Sequence, residues 1–541
     1  MDNAICHSSF LNMVYQTQGT DNLINLLSND LNYLKIKPKV DKQGILYHRT
    51  NLLNLISLLF LKEKEGELFV SGDKNTKGSI IYLNILSIIN NQLNSITGNK
   101  LGNLLITYML RDHPYSYSPN TTINFYLRWL KRYWFIYNNI LHTLPDNQKD
   151  KLSSAITSLE QSLKMPLKKY FYILVKLFMW FLYMPMQHEN EKKLGFNIKN
   201  INTFYVDQSR FSNDYDLMKL INLISLDLKG MKNYILDSVA KDEKNRNFGD
   251  FYKYLTKFFQ KPFYKISEGL FCIIDFKFMI ESICSGLLWQ LNEMKCANFN
   301  DLKSQYGILI EKYFFKIMNH LFILEPIQIN YAPDAVVKFN NYIIIFEFTT
   351  EYYRMQSLYN SKLNDFKTDL NKILFNKKES PIGGKKDRGK FIKLDNYVKE
   401  YAGDKQYEII PILVTEKLLG DYEMLNALDN HLSSMIHDNN LDYLKKRPPL
   451  ILSLDDLELF WSKSESDKMK NIESFVNCIN AWATTLKGEF HFNFSFFINN
   501  KFKEMKTLNP QYSEFFEIKN LLKELCDNKQ NSISSDNPLI N

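Results

Sequence analysis

Two carboxylates, Asp334 and Glu347, stand six positions outward on either side of the dipeptide Asn340-Asn341. The flanking runs, Pro333-Asp334-Ala335-Val336-Val337-Lys338-Phe339 and Tyr342-Ile343-Ile344-Ile345-Phe346-Glu347-Phe348-Thr349, are rich in β-branched and aromatic residues. Such runs joined by a two-residue Asn turn predict a β-hairpin. In the register that turn imposes, Phe339 faces Tyr342, Lys338 faces Ile343, and Asp334 meets Glu347. Directly opposed residues have β-carbons about 4.5 to 5.5 Å apart, and like charges at that separation repel unless a cation or a shared proton neutralises them. Glu347 closes a run of five apolar residues, Tyr342 to Phe346. A run of that kind reads as a strand covered on both faces, where a carboxylate needs a partner. A hard divalent cation, Mg²⁺ or Mn²⁺, is the simplest neutraliser of paired oxygen ligands, and hydrolysis of phosphodiesters is a common use of such a pair.

The elements that must hold these residues lie in a stretch of distinct character beginning at 298. Asn298 to Phe322 reads as an amphipathic helix, followed by Pro326 and the hairpin. A helix is expected over Glu351 to Phe375, a Gly- and Lys-rich loop over 376–393, and a helix over Leu394 to Tyr401. A buried strand over Tyr407 to Thr415, a helix near Leu425 to Ile436, a strand over Pro449 to Leu454 and a helix over Asp455 to Trp461 complete the order. This succession predicts an α/β sandwich around a small mixed sheet. The loop carries seven basic residues against two acidic ones. Lys385, Lys386, Arg388 and Lys390 are the candidates there for contact with a phosphate backbone.

The order Gly307-x-x-x-Glu311, Pro333-Asp334 and Glu347-Phe348-Thr349 resembles the PD-(D/E)XK nuclease superfamily, which includes restriction endonucleases and many defence nucleases. The resemblance covers residues 298–465. It implies a restriction-endonuclease-like α/β/α core in which Glu311 is the early helix glutamate and Asp334 and Glu347, with the Phe348 carbonyl, bind one or two Mg²⁺ or Mn²⁺ ions. The position the family fills with lysine is Thr349 here, which can orient water but brings no positive charge. In this the chain is similar to the cap-snatching endonucleases of segmented negative-strand RNA viruses, whose lysine has moved to the helix after the strand. Lys362, inside the helix expected over 351–375, takes that place. Lys338 lies four residues along its strand from Asp334, roughly 13 Å away by strand rise and out of easy reach.

What the resemblance implies is a metal-dependent endonuclease acting on nucleic acid, with DNA favoured by analogy to restriction and antiphage defence proteins. The rival readings are an RNA endonuclease of the cap-snatching kind and an inactive nuclease fold that binds nucleic acid or scaffolds a complex.

The whole chain has 541 residues and exceeds the size at which single cores stop growing, so a multi-domain protein is expected. Residues 1–297 read as a large, mainly α region for substrate or partner recognition, 298–465 as the nuclease-like domain, and 466–541 as a helical C-terminal extension with a frayed tail. The net charge of +8 permits an anionic partner without demanding one. It leaves room for a protein partner or a homo-oligomer. The mixed stretch Phe125 to Phe135 suits core packing at helical spacing better than base stacking. Six scattered cysteines without a Cys-x-x-Cys pair, and nine histidines without a zinc pattern, point to reduced thiols and a cytoplasmic protein. No signal peptide is expected from the first residues. The most apolar segment, Phe171 to Met186, is too short and too interrupted for a membrane span.

Overall fold

A computed structural model describes residues 128–136, parts of 153–173, 205–207, most of 215–230, 261–274, 299–326, 333–351, 363–375, 378–379, 386–387, 389–401, 407–417, 429–485 and 494–501, with a few single positions besides. A four-stranded sheet is built from β1 (Tyr205–Asp207), β2 (Ser225–Leu226), β3 (Phe263–Ser267) and β4 (Leu270–Ile273), in the order β1-β4-β3-β2. Helix α1 (Tyr215–Leu223) leads into β2. The hairpin predicted around Asn340-Asn341 belongs to a second sheet.

That sheet follows α2 (Phe299–Leu321) and contains β5 (Ala335–Phe339) and β6 (Tyr342–Thr349). Next come α3 (Leu363–Leu374), the short ribbon β7 (Lys378–Glu379) and β8 (Lys386–Asp387), α4 (Lys390–Tyr401) and β9 (Glu408–Thr415). Then α5 (Asp429–Asp438) and α6 (Asp442–Lys446) lead to β10 (Leu450–Ser453). Helices α7 (Leu454–Lys463), α8 (Lys468–Thr485) and α9 (Phe494–Lys501) complete the described chain. The strand order is β10-β9-β6-β5, with β5 antiparallel to β6 and the other two pairings parallel. This is the small mixed sheet flanked by helices that the sequence predicts.

Strand β6 lies between two neighbours and is apolar on both faces, as a parallel sheet covered on both sides requires. Its even-numbered residues Ile344, Phe346 and Phe348 join Ile410, Ile412 and Val414 of β9 in a core lined by α2, α7 and α8. The odd-numbered Ile343 and Ile345 join Ile409 and Leu413 in the opposite core, with residues of α3, α4 and α5. Helix α4 packs through Phe391, Leu394, Tyr397 and Val398, a helical stripe, and its Asp395 Oδ1 accepts the Tyr443 and Leu444 amides at 3.0 and 2.9 Å. Those bonds fix the rotation of α4, and so the direction in which Lys390 and Lys393 of its first turn point.

The helical stretch 128–135 packs into the same core as α2 and the sheet, through Trp129, Leu130, Tyr133, Trp134 and Phe135. Its aromatic residues are therefore packing residues. One boundary differs from expectation, and another falls partly outside the described residues: of the helix expected over 351–375, residues 352–362 are not among those described. Helix α4 begins at Lys390, four residues before its expected start, because Phe391 as well as Leu394 is buried and extends the apolar stripe by a turn. No helix among the described residues is long and apolar enough to cross a membrane. Most of the apolar segment 171–186 and the tail after 501 lie outside the described residues.

Candidate active site

The hairpin register is the one the turn implies, from Phe339 opposite Tyr342 to Ala335 opposite Phe346. Asn340 adopts the left-handed conformation, with φ of 50°, that a tight turn asks of its first residue and that asparagine tolerates. One further step along the register sets Asp334 across from Glu347. Side chains alternate faces along a strand. Asp334 therefore shares its face with Val336, and Glu347 with Ile345, both of which belong to the core beneath α4. The two carboxylates share one face of the sheet.

Glu347 is 1% exposed. Two ammonium groups from the first turn of α4 reach it, Lys390 Nζ at 2.7 Å and Lys393 Nζ at 3.4 Å, both on Oε1. Asp334 Oδ2 accepts the Phe348 amide at 2.6 Å, which clips the start of β5 to the end of β6. Burial pushes both carboxyls above their ordinary range, and for Glu347 the neighbouring Asp334 charge pushes the same way while Lys390 and Lys393 oppose it. For Asp334 the lysines and the Phe348 amide oppose the burial, and Glu311 adds to it. Glu311 is exposed on α2, close enough for its charge to act on Asp334. Its helix is set against the sheet by Phe314, whose ring stacks on Phe348 at 4.8 Å and 6°. Asp334 and Glu347 are therefore brought together, while Glu311 acts on Asp334 through its charge alone.

The other residues fall as follows. Thr349 is buried, and its hydroxyl oxygen accepts the Glu351 amide at 3.1 Å, so it shapes the exit of the strand. Lys338 is exposed on β5, paired with Ile343 at the far end of the hairpin from Asp334. Lys362, Lys385 and Arg388 lie outside the described residues, and Lys386 lies in β8. Lys390, expected among phosphate-contacting loop residues, is the cation nearest to Glu347 among the described residues. Gly307 has room for more than hydrogen, since an added β-carbon would meet Thr350 Oγ1 at an ordinary 3.6 Å. The close approach that its small size suggests is not required there.

Lys390 is expected only as a phosphate-contacting loop residue, and Lys393 is not singled out, because the composition of 376–393 reads as loop. The signal that identifies them is a pair of lysines at i and i+3 immediately after Gly389. Gly389 is demanded by packing: a β-carbon there would lie 2.5 to 2.6 Å from the Phe375 backbone. That close contact seats the start of α4 against the end of α3.

Comparison with protein-family models, curated proteins and solved structures gives no match for this chain. The site must therefore be read from its own chemistry. Among the described residues no group of three or more His, Cys, Asp or Glu side chains gathers as a metal cluster. Two carboxylates plus a main-chain carbonyl is nonetheless a donor set that suits Mg²⁺ or Mn²⁺, because such ions keep several waters and complete their shell with substrate phosphates. Zinc, which takes four close nitrogen, sulfur or carboxylate ligands, does not suit this set.

Proposed function

We propose that this chain is a metal-dependent nuclease that hydrolyses phosphodiester bonds in nucleic acid through Asp334, Glu347 and Lys390. One observation carries the reading: two carboxylates raised by burial share a sheet face at the strand ends, and two lysine ammonium groups approach the same oxygen. Buried carboxyl groups whose proton affinity is raised by desolvation and by specific charge partners cluster at functional sites. Asp334 and Glu347, with the Phe348 carbonyl, would hold Mg²⁺ or Mn²⁺, which supplies Lewis acidity and a more acidic bound water.

Lys390 brings the positive charge that Thr349 lacks. Its ammonium stabilises negative charge building on the phosphoryl oxygens, and Lys393 keeps Glu347 neutralised while Lys390 swings towards substrate. Glu311 adds negative potential beside Asp334 and favours occupancy by a cation. Thr349 orients water through its hydroxyl proton while its oxygen caps the strand exit.

Cleavage assays on single- and double-stranded DNA and on RNA, with Mg²⁺, Mn²⁺ or EDTA, test the reading. Wild type should cleave at least one substrate in a metal-dependent manner, and Glu347→Ala should abolish that activity. Lys390→Ala should lower turnover by about 10²- to 10³-fold, the scale of losing one preorganised charge donor. If Lys362→Ala has that effect and Lys390→Ala does not, the lysine role moves to Lys362. The assay also separates DNA, favoured here by analogy, from RNA. A nucleic-acid binder without catalysis is a second reading, favoured by the fact that Lys390 already pairs with Glu347 inside the protein. Equal behaviour of wild type and Glu347→Ala on every substrate, with binding retained, would establish it.

A further inference from the structure

On the α2 side of the sheet, beyond the ends of β6 and β9, the helix 128–135 enters a buried polar network that the carboxylate site does not use. The Arg132 guanidinium, 1% exposed, donates to both oxygens of Glu458 at 2.7 and 2.9 Å, to Asp455 Oδ1 at 2.8 Å and to the main-chain oxygen of Glu416 at 3.2 Å. The Tyr133 and Tyr306 hydroxyls both reach Glu416 Oε1 at 2.5 Å and lie 2.8 Å from each other. Glu416 itself follows β9 directly, and its amide donates to the Thr349 carbonyl at 3.0 Å. Thr349 is two residues beyond Glu347 on the same strand.

Burying this many ionisable groups is a poor way to gain stability, since a well-packed apolar set of similar volume is often as good or better. What a saturated polar network does supply is a fixed geometry at its members. Here the member nearest the candidate active site is Glu416, held from three directions by side chains of two other helices.

We propose that Glu416 is a positioning residue for the carboxylate site: clamped by Tyr133, Tyr306 and Arg132, it pins the end of β6 and so fixes where Glu347 points. The catalytic half of this inference rests on the nuclease reading. The structural half does not. The helix 128–135 thereby becomes, with α2, an element that holds the strand end in place.

The test uses the full chain and two variants, Glu416→Gln and the double variant Tyr133→Phe/Tyr306→Phe, which keeps both rings and removes both hydroxyls. Hydrogen exchange followed by mass spectrometry should show peptides covering 343–351 and 413–417 exchanging about tenfold faster or more in the double variant, with α8 peptides unchanged. In the same variant kcat should fall at least about tenfold with KM within about twofold, as expected when reacting groups are misplaced rather than substrate binding lost. Unchanged exchange at the strand ends would overturn the inference, as would faster exchange spread equally over α8. Faster exchange with unaltered kcat in an active enzyme would overturn its catalytic half. A wild type that cleaves nothing removes the nuclease reading, and the exchange arm still decides the clamp. If the double variant does not fold, Glu416→Gln is read by the same measurements.

Discussion

At the residue scale, the proposed nuclease chemistry turns on carboxyl groups that the fold makes hard to ionise. Burial raises Asp334 and Glu347, and for Glu347 the Asp334 charge adds to the effect. Each group binds its proton more tightly folded than unfolded, so its contribution to stability is present at low pH and is lost as pH rises through the folded value. A divalent cation must displace those protons and compete with Lys390. The thermal shift given by Mn²⁺ should therefore be small at pH 5 and grow towards pH 7.5 in the wild type. Glu347→Gln should show little shift at either pH, and a shift equal to that of wild type would remove Glu347 from the binding set. The opposition of Asp334 and Glu347 was legible from a turn signal and a count of residues along two strands. The pairing of Lys390 with Glu347 was not: Lys390 shares a stretch with Gly383, Gly384 and Gly389 whose composition reads as loop, and tertiary packing of Phe391 draws it into a helix.

At the scale of elements, the strands were the legible part. β9 and β10 start within one residue of their expected positions, and β6 ends at Thr349, because fully covered strands read as continuous apolar runs bounded by polar residues. Among the helices whose starts are described, α7 begins one residue from its expected position and α4 four residues early. α7 carries a start signal visible in Ser453-x-x-Asp456, where the Asp456 carboxylate accepts the Ser453 amide at 2.7 Å and the Ser453 hydroxyl accepts the Asp456 amide at 3.3 Å. The junction of α3 and α4 depends on Gly389, which no local pattern marks. Gly389→Ala should force the start of α4 away from Phe375, cost roughly 1 to 3 kcal/mol of stability as overpacking does, and lower nuclease turnover more than Lys393→Ala does. Urea unfolding and single-turnover cleavage check both halves. A fully stable and fully active Gly389→Ala protein would show that the close contact does not position Lys390.

For the molecule as a whole, the helix 128–135 and the sheet share one core although about 200 residues separate them in the chain. Sequence patterning, which sees local periodicity, cannot register that Arg132 will find Asp455 and Glu458. The Asp455 carboxyl is pushed up to about 6, chiefly by burial, with Arg132 opposing and Glu458 adding to the rise. Its proton is therefore held in the folded protein over a window from the ordinary carboxylate range to about pH 6, and stability falls as pH rises through that window. Asp455→Asn should flatten the dependence of the unfolding midpoint on pH between 4 and 7. Arg132→Met, which strands two buried carboxylates, should cost about 3 to 5 kcal/mol. A midpoint for Arg132→Met within experimental error of wild type would mean that the helix is not held by this network. On the proposed reading a divalent cation and Lys390 compete for one pair of carboxylates. Anomalous diffraction from crystals soaked in Mn²⁺ should show a peak between Asp334 and Glu347 with Lys390 displaced from Oε1; no peak there, with Lys390 still seated on Glu347, would overturn the competition.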